Sequence, residues 1–248
     1  MSPSKINVLA INASPRKYGN TFKLLKVAAE AARREDAEVE LVHLYDYEIK
    51  PCIGCLSDIQ DACRYPCVLD DGGKELIKKV YRSEVLIIAT PIYWYGPTGH
   101  LKNFIDRITC LENMIFVDGR SWAEGKVAGF IVVGADSGNI SAIAHLMVVL
   151  NSMGFIIPPW ALAYYIGTDD ALEKHESVSD AANVGALAVR MAKLVKDINE
   201  WYNPELIKEL GGEEFIKSVN AEAENTKSVE FIKRRSLITR LIKKKESR

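Results

Sequence analysis

Five runs of apolar residues punctuate the chain, and the stretches between them carry helical spacing. "KINVLAI" (5–11) and "EVLIIAT" (84–90) are short, β-branched and almost continuously apolar, as strands buried on both faces should be. "KVAGFIVVG" (126–134) reads the same way, while "EVELVHL" (38–44) alternates apolar with polar positions and belongs nearer an edge. "FIIPPWALAYYIG" (155–167) is a weaker strand, because Pro158 and Pro159 remove two ladder donors and confine it to an edge or a late start. Helices are expected to begin near Asn20, Gly73, Thr98, Asn139 and Val178, with Asn20, Thr98 and Asn139 as candidate N-caps. Strand–helix alternation five times over predicts a doubly wound, mostly parallel α/β sheet.

Past Asn203-Pro204 the pattern changes to short, charged helical segments, so residues 1–202 read as one domain and 203–248 as a basic helical extension. The last 16 residues hold eight Lys or Arg against one Glu. Phe231, Ile232, Leu237, Ile238, Leu241 and Ile242 fall in pairs at helical spacing, which predicts an amphipathic helix. Such a helix packs on its own domain or across a dimer. A membrane surface or an acidic partner is the alternative.

Composition narrows the class of protein. The 248 residues are 48% hydrophobic and 26% charged, ordinary for a soluble globular chain. A net charge of −1 makes no electrostatic case for nucleic acid. No apolar run approaches the roughly 20 residues of a membrane span, and "MSPSKIN" carries no apolar secretion core. A cytoplasmic, reducing setting is therefore expected. There, the four cysteines 52, 55, 63 and 67 read as metal, cluster or redox chemistry rather than as a disulfide framework. Cys110, inside "FIDRITCLENMIF", reads as plain core.

In a parallel sheet, ligands bind outside the carboxyl ends of the strands, and three loops there have unusual content. "NASPRKYGNT" (12–21) places Ser14, Asn20 and Thr21 beside Arg16 and Lys17 at the start of a helix. That combination suits a terminal phosphate. It matches neither G-x-G-x-x-G nor G-x-x-x-x-G-K-[ST], which weighs against a dinucleotide pyrophosphate. "TPIYWYGPTGHLKNFIDR" (90–107) sets Tyr93, Trp94 and Tyr95 where the chain leaves the sheet, suited to a planar heteroaromatic ligand. Farther on, Leu101, Phe104, Ile105 and Ile108 make a helix face, leaving Lys102, Asp106 and Arg107 to its solvated or capping side. "GADSGN" (134–139) supplies small residues against which a flat ring lies.

"ASPRKYGNT" and "TPIYWYGPTGHLKNFIDR" closely resemble, respectively, the phosphate loop and the second flavin-binding segment of one group within the flavodoxin-like fold, the NAD(P)H-dependent FMN reductases and iron–sulfur flavoproteins. The likeness covers about residues 5 to 150 well and weakens to 202. It implies a five-stranded parallel sheet of order 2-1-3-4-5 and FMN as cofactor. Ser14, Arg16, Asn20 and Thr21 would hold the phosphate. Pro91, Ile92, Tyr93 and Trp94 would line the ribityl chain and ring, and Ala135, Asp136, Ser137 and Gly138 would meet the ring edge. The group is usually dimeric or tetrameric, so a homodimer or homotetramer is expected, and the tail is a candidate for building it.

The cysteines read C-x2-C-x7-C-x3-C within an insertion spanning 46–72. The family's iron–sulfur members commonly carry C-x2-C-x2-C and a later fourth cysteine; here Asp58 stands in the third place and Cys63 comes five residues late. Cys52, Cys55, Cys63 and Cys67 as ligands of a [4Fe–4S] cluster, as ligands of a structural zinc, or as metal-free thiols or disulfides all remain open. Three functions follow from the reading. The first is an FMN oxidoreductase passing electrons from NAD(P)H to flavin, quinone or another small acceptor. The second is an iron–sulfur flavoprotein fed by a protein donor such as ferredoxin. The third is a non-enzymatic zinc-binding module. Hydride transfer between cofactors requires no acid or base from the protein, so no catalytic residue is assigned, and His100 reads as a helix-surface histidine.

Overall fold

The computed structural model describes residues 5–198 and 200–246. Its sheet runs β2-β1-β3-β4-β5, all parallel, the flavodoxin-like order. The strands are β1 (Ile6–Asn12), β2 (Ala37–His43), β3 (Val85–Pro91), β4 (Val127–Gly134) and β5 (Leu162–Ile166). The helices of this unit are α1 (Asn20–Arg34), α2 (Cys55–Asp58), α3 (Gly72–Arg82), α4 (Gly99–Glu112), α5 (Ile115–Asp118), α6 (Asn139–Ser152) and α7 (His175–Val195). α7 starts three residues before the expected Val178.

The central strands are apolar throughout because the sheet is covered twice. Leu9, Ile11, Leu86, Ile88, Phe130 and Val132 join a core with Leu76, Phe104, Ile108 and Leu146. Their alternates Val8, Ala10, Ile87, Ala89 and Ile131 face the other way, onto Leu24, Ala28, Val184 and Ala188. α1 and α7 approach closely at Gly185, where a Cβ would overlap the Ala28 carbonyl.

β5 is shorter than its apolar run, for the reason the prolines supply. Ile156 makes one bridge to Val127, then Pro158, Pro159 and Trp160 leave the ladder, and pairing resumes at Leu162. Two expected caps also move by one residue. α1 and α6 begin at Asn20 and Asn139, but their N-caps are Gly19 and Gly138. Thr98 caps α4 as expected, accepting from the Leu101 N–H at 3.2 Å.

The chain divides into two compact units, 1–198 and 199–248. The second holds α8 (Pro204–Leu210) and α9 (Glu213–Glu246). Asn203 caps α8 by accepting from Leu206 N–H at 3.1 Å. The short segments expected in the tail are largely one continuous 34-residue helix, since nothing after Gly212 breaks it: no Pro or Gly occurs from 213 to 246.

Candidate functional site

The carboxyl ends of β1, β3, β4 and β5 open into a cleft of about 510 Å³. Eight of the twelve residues expected at the site line it: Ser14, Arg16, Asn20, Thr21, Pro91, Ile92, Tyr93 and Ala135. Trp94, Asp136 and Ser137 line an adjoining recess of about 170 Å³ together with Ile92, Tyr95 and Ala135. Gly138 lies behind that recess, against Tyr95.

The first loop is shaped by its own side chains. Ser14 is buried; its N–H donates to Asn12 Oδ1 at 3.2 Å and its Oγ accepts from Arg16 N–H at 3.1 Å. The Asn12 amide in turn meets His43 Nδ1 at 3.0 Å. Burial, reinforced by Lys17 and opposed by Asp46, holds His43 below its ordinary pKa, which favours the neutral ring able to accept that bond. Asn20 works differently from the expectation. Its Nδ2 donates to the Asp169 carbonyl at 2.7 Å and its Oδ1 accepts from Ala171 N–H at 3.2 Å. The side chain therefore staples α1 to the loop after β5, and no side chain caps α1. The first-turn N–H groups of α1 are thus left to the cleft, with the positive end of a 15-residue helix behind them.

The second loop is strained. Tyr93 and Gly96 exchange backbone bonds of 2.9 and 3.2 Å, closing a two-residue hairpin turn on Trp94 and Tyr95. Both residues take positive φ, +50° and +64°, a conformation normally given to Asn-Gly. Held there, each costs on the order of 1 kcal/mol. Trp94 is 94% exposed at the tip. The third loop makes room for the turn: Gly138 has φ +92°, and a Cβ on it would stand 2.9 Å from Tyr95 Cδ1.

A fourth loop was not anticipated. Gly167, Thr168, Asp169 and Asp170 complete the cleft wall, and Asp170 pairs with Lys23 at 2.7 Å. Its sequence signal was "GTDD" directly after the last strand, where the strand-end rule already pointed.

The cysteine insertion follows β2, and Asp46 at its start pairs with Lys17 of the first loop. Cys52 is exposed, Cys55 and Cys67 are half-buried, and Cys63 and Cys110 are buried. Burial, with Cys55 next and Cys52 and Cys67 adding to it, pushes the Cys63 thiol up to about 12. A hydrogen bond from Cys110 is the main force holding the Cys67 thiol below its ordinary pKa, against the upward push of burial and with help from Leu69 N–H and Arg107. Cys110 is buried as expected, yet it is more than filler, since it touches this thiol. The thiols of Cys52, Cys55 and Cys67 all act on that of Cys63, and soft thiolates suit an iron–sulfur cluster or zinc. Among the described residues, however, no three Cys, His, Asp or Glu side chains are gathered as ligands around one point. The insertion carries the donor set without the closed coordination geometry.

Arg107 corrects the sequence reading. It is fully buried, not solvated, and its guanidinium meets Asp71 through two bonds of 2.8 and 3.0 Å. It also donates to Cys67 Sγ at 3.2 Å and to the Lys50 carbonyl at 3.0 Å. The helix face was misread because the insertion, not solvent, covers it. Lys102 and Asp106 do pair on the exposed side. His100 is half-buried, its Nε2 3.0 Å from the Tyr47 carbonyl and 3.2 Å from that of Leu44, which ties α4 to the start of the insertion.

Residues 6–167 match the family described as NADPH-dependent FMN reductase. An iron–sulfur flavoprotein of Archaeoglobus fulgidus is 30% identical over 199 residues, covering 78% of this chain and 86% of the relative. An iron–sulfur flavoprotein of Methanocaldococcus jannaschii is 29% identical, covering 77% and 100%. Among solved structures, RosB with a bound 8-demethyl-8-formylriboflavin-5'-phosphate intermediate superposes with a TM-score of 0.71 at 20% identity, over 84% of this chain and 87% of that one.

Proposed function

Because the chain belongs to the NADPH-dependent FMN reductase family and is by that membership an FMN-dependent oxidoreductase, we propose that it draws electrons from NAD(P)H and passes them to flavin, quinone or another small acceptor. The observation that carries this reading is the cleft itself. It joins an uncapped helix N-terminus, Tyr93 and the small residues Gly134 and Ala135 in one 510 Å³ space, a size suited to a cofactor, with Trp94 and Tyr95 in the recess that adjoins it.

FMN, when bound, supplies the hydride and single-electron chemistry. The chain's part is to bind, orient and shield. Thr21, Arg16 and the α1 N-terminus receive the phosphate, with Ser14 holding the loop in shape and Asn20 fixing the wall. Pro91, Ile92, Tyr93 and Trp94 flank the ribityl chain and ring and exclude water from one side. The backbone of Ala135, Asp136, Ser137 and Gly138 offers N–H groups to the ring edge. A reducing, cytoplasmic setting belongs to this reading, since it would keep the insertion's thiols available as ligands or redox groups.

A second reading has its own observation. Cys52, Cys55 and Cys67 all bear on the Cys63 thiol, and relatives are named iron–sulfur flavoproteins. In that case a [4Fe–4S] cluster held by these four residues would carry electrons singly, with ferredoxin as a fitting donor. Anaerobic purification followed by a visible spectrum and iron and sulfide assays separates the two. Flavin bands without iron, bleached rapidly by NAD(P)H, support the first. About four iron and four sulfide per chain, with bleaching only by reduced ferredoxin, support the second. A colourless protein that leaves the fluorescence of added FMN unchanged sinks both.

A further inference from the structure

Helix α9 is 34 residues long, about 51 Å, and every described side chain in it is exposed. Helices in proteins take most of their stability from packing a face rather than from propensity, and α9 has no packed face among the described residues. Its large apolar side chains fall in two groups, Phe215, Ile216 and Val219 at the start and a longer series that runs from Val229 in the middle to Ile242 near the finish. Charge is segregated in the same way. Residues 213–230 hold five Glu against two Lys, whereas 231–245 hold seven Lys or Arg and no acid.

We propose that α9 docks antiparallel on α9 of a second copy of this chain. A parallel pair would set seven positive charges against seven. The antiparallel pair lays the acidic half of each helix along the basic half of the other. One register sets the first group against the end of the second: with Ile216 level with Leu241, Phe215 is level with Ile242 and Val219 with Ile238. That register also sets Glu214, Glu222, Glu224 and Glu230 level with Lys243, Arg235, Lys233 and Lys227, against one like pair, Lys217 and Arg240. Pairs now formed along α9, Lys217–Glu213, Lys227–Glu224 and Lys233–Glu230, are exposed and worth little, so they exchange partners at small cost. An anionic membrane would welcome the basic half and repel the acidic one. The proposal is independent of the redox reading.

The test is sedimentation of the full chain at micromolar concentration and low salt, with three charge variants. Glu214, Glu222 and Glu224 changed to Lys weakens self-association about tenfold, as does Lys233, Arg235 and Lys243 changed to Glu. Combining the six changes restores association, because the halves are again complementary, and mixing the two single-half variants yields a heterodimer. Orientation is read by mild oxidation. Val219→Cys crosslinks to Ile238→Cys on another chain, and Val219→Cys does not crosslink to itself. Circular dichroism of each variant shows whether the helix survives its substitutions. A monomeric full chain, a 219–219 crosslink, or charge variants that associate unchanged would overturn the proposal. So would binding to phosphatidylcholine–phosphatidylserine vesicles without self-association.

Discussion

One guanidinium, that of Arg107, joins α4 to the cysteine insertion at Asp71, Lys50 and Cys67. Asp71 would be raised by its burial, but Arg107 and the N–H groups of Lys50 and Lys74 outweigh that and hold its carboxyl below the usual range. Breaking a buried pair from one side leaves an uncompensated charge. Arg107→Met should therefore lose about 3–5 kcal/mol, while Arg107→Met with Asp71→Leu should lose clearly less; urea melts of the two variants decide it. Lys126 sits at the opposite end of the sheet, donating to the Tyr81 and Ser83 carbonyls at 2.8 and 2.7 Å. Burial brings its pKa down to about 8, against a smaller opposing pull from Glu84. An unfolded lysine titrates near 10.4, so between about pH 8 and 10 the unfolded chain binds more protons and stability rises with pH. Lys126→Met should flatten that rise, as urea midpoints of both proteins across this range will show. Neither burial is legible in the sequence, where a charged residue on a helix or at a strand start reads as solvated.

At the scale of elements, the hairpin at 93–96 runs against local backbone preference at the edge of the proposed cofactor site. Trp94 and Tyr95 keep positive φ where Asn or Gly would be relaxed. Trp94→Asn should raise stability by up to about 1 kcal/mol and weaken FMN binding several-fold, read by thermal melts and flavin fluorescence titration. A variant that gains stability with unchanged FMN affinity would show the turn to be incidental to the cofactor. The three aromatics and the flanking Pro91 were visible in the sequence as a dense apolar exit from a strand. Their turn type was not, because nothing local to "YWYG" demands left-handed backbone; the partner surface at Gly138 permits it.

On the scale of the whole molecule, both hydrophobic clusters lie within residues 6–192. Removing residues 203–248 should leave the urea midpoint and FMN affinity of the remainder unchanged while lowering self-association, checked by melts, titration and sedimentation on the shortened chain. A drop in midpoint would mean that the tail contributes to the fold rather than to assembly.

Sequence alone determined the layered α/β architecture, the parallel sheet and the strand-end position of the cleft. Apolar period, proline placement and strand–helix alternation are local signals, and chain connectivity then leaves few ways to close two cores on one sheet. The polar loop at 12–21 and the aromatic loop at 90–97 were legible for the same reason: each is contiguous in the chain. Only the tertiary structure decided what depends on segments distant in sequence. Asn20 is taken by a carbonyl 149 residues away, Arg107 is buried by an insertion reaching it across 36 residues, and the Gly167–Asp170 loop joins the cleft because β5 lies beside β4. Long-range packing settles which of a side chain's available partners it takes, and no local pattern encodes that choice.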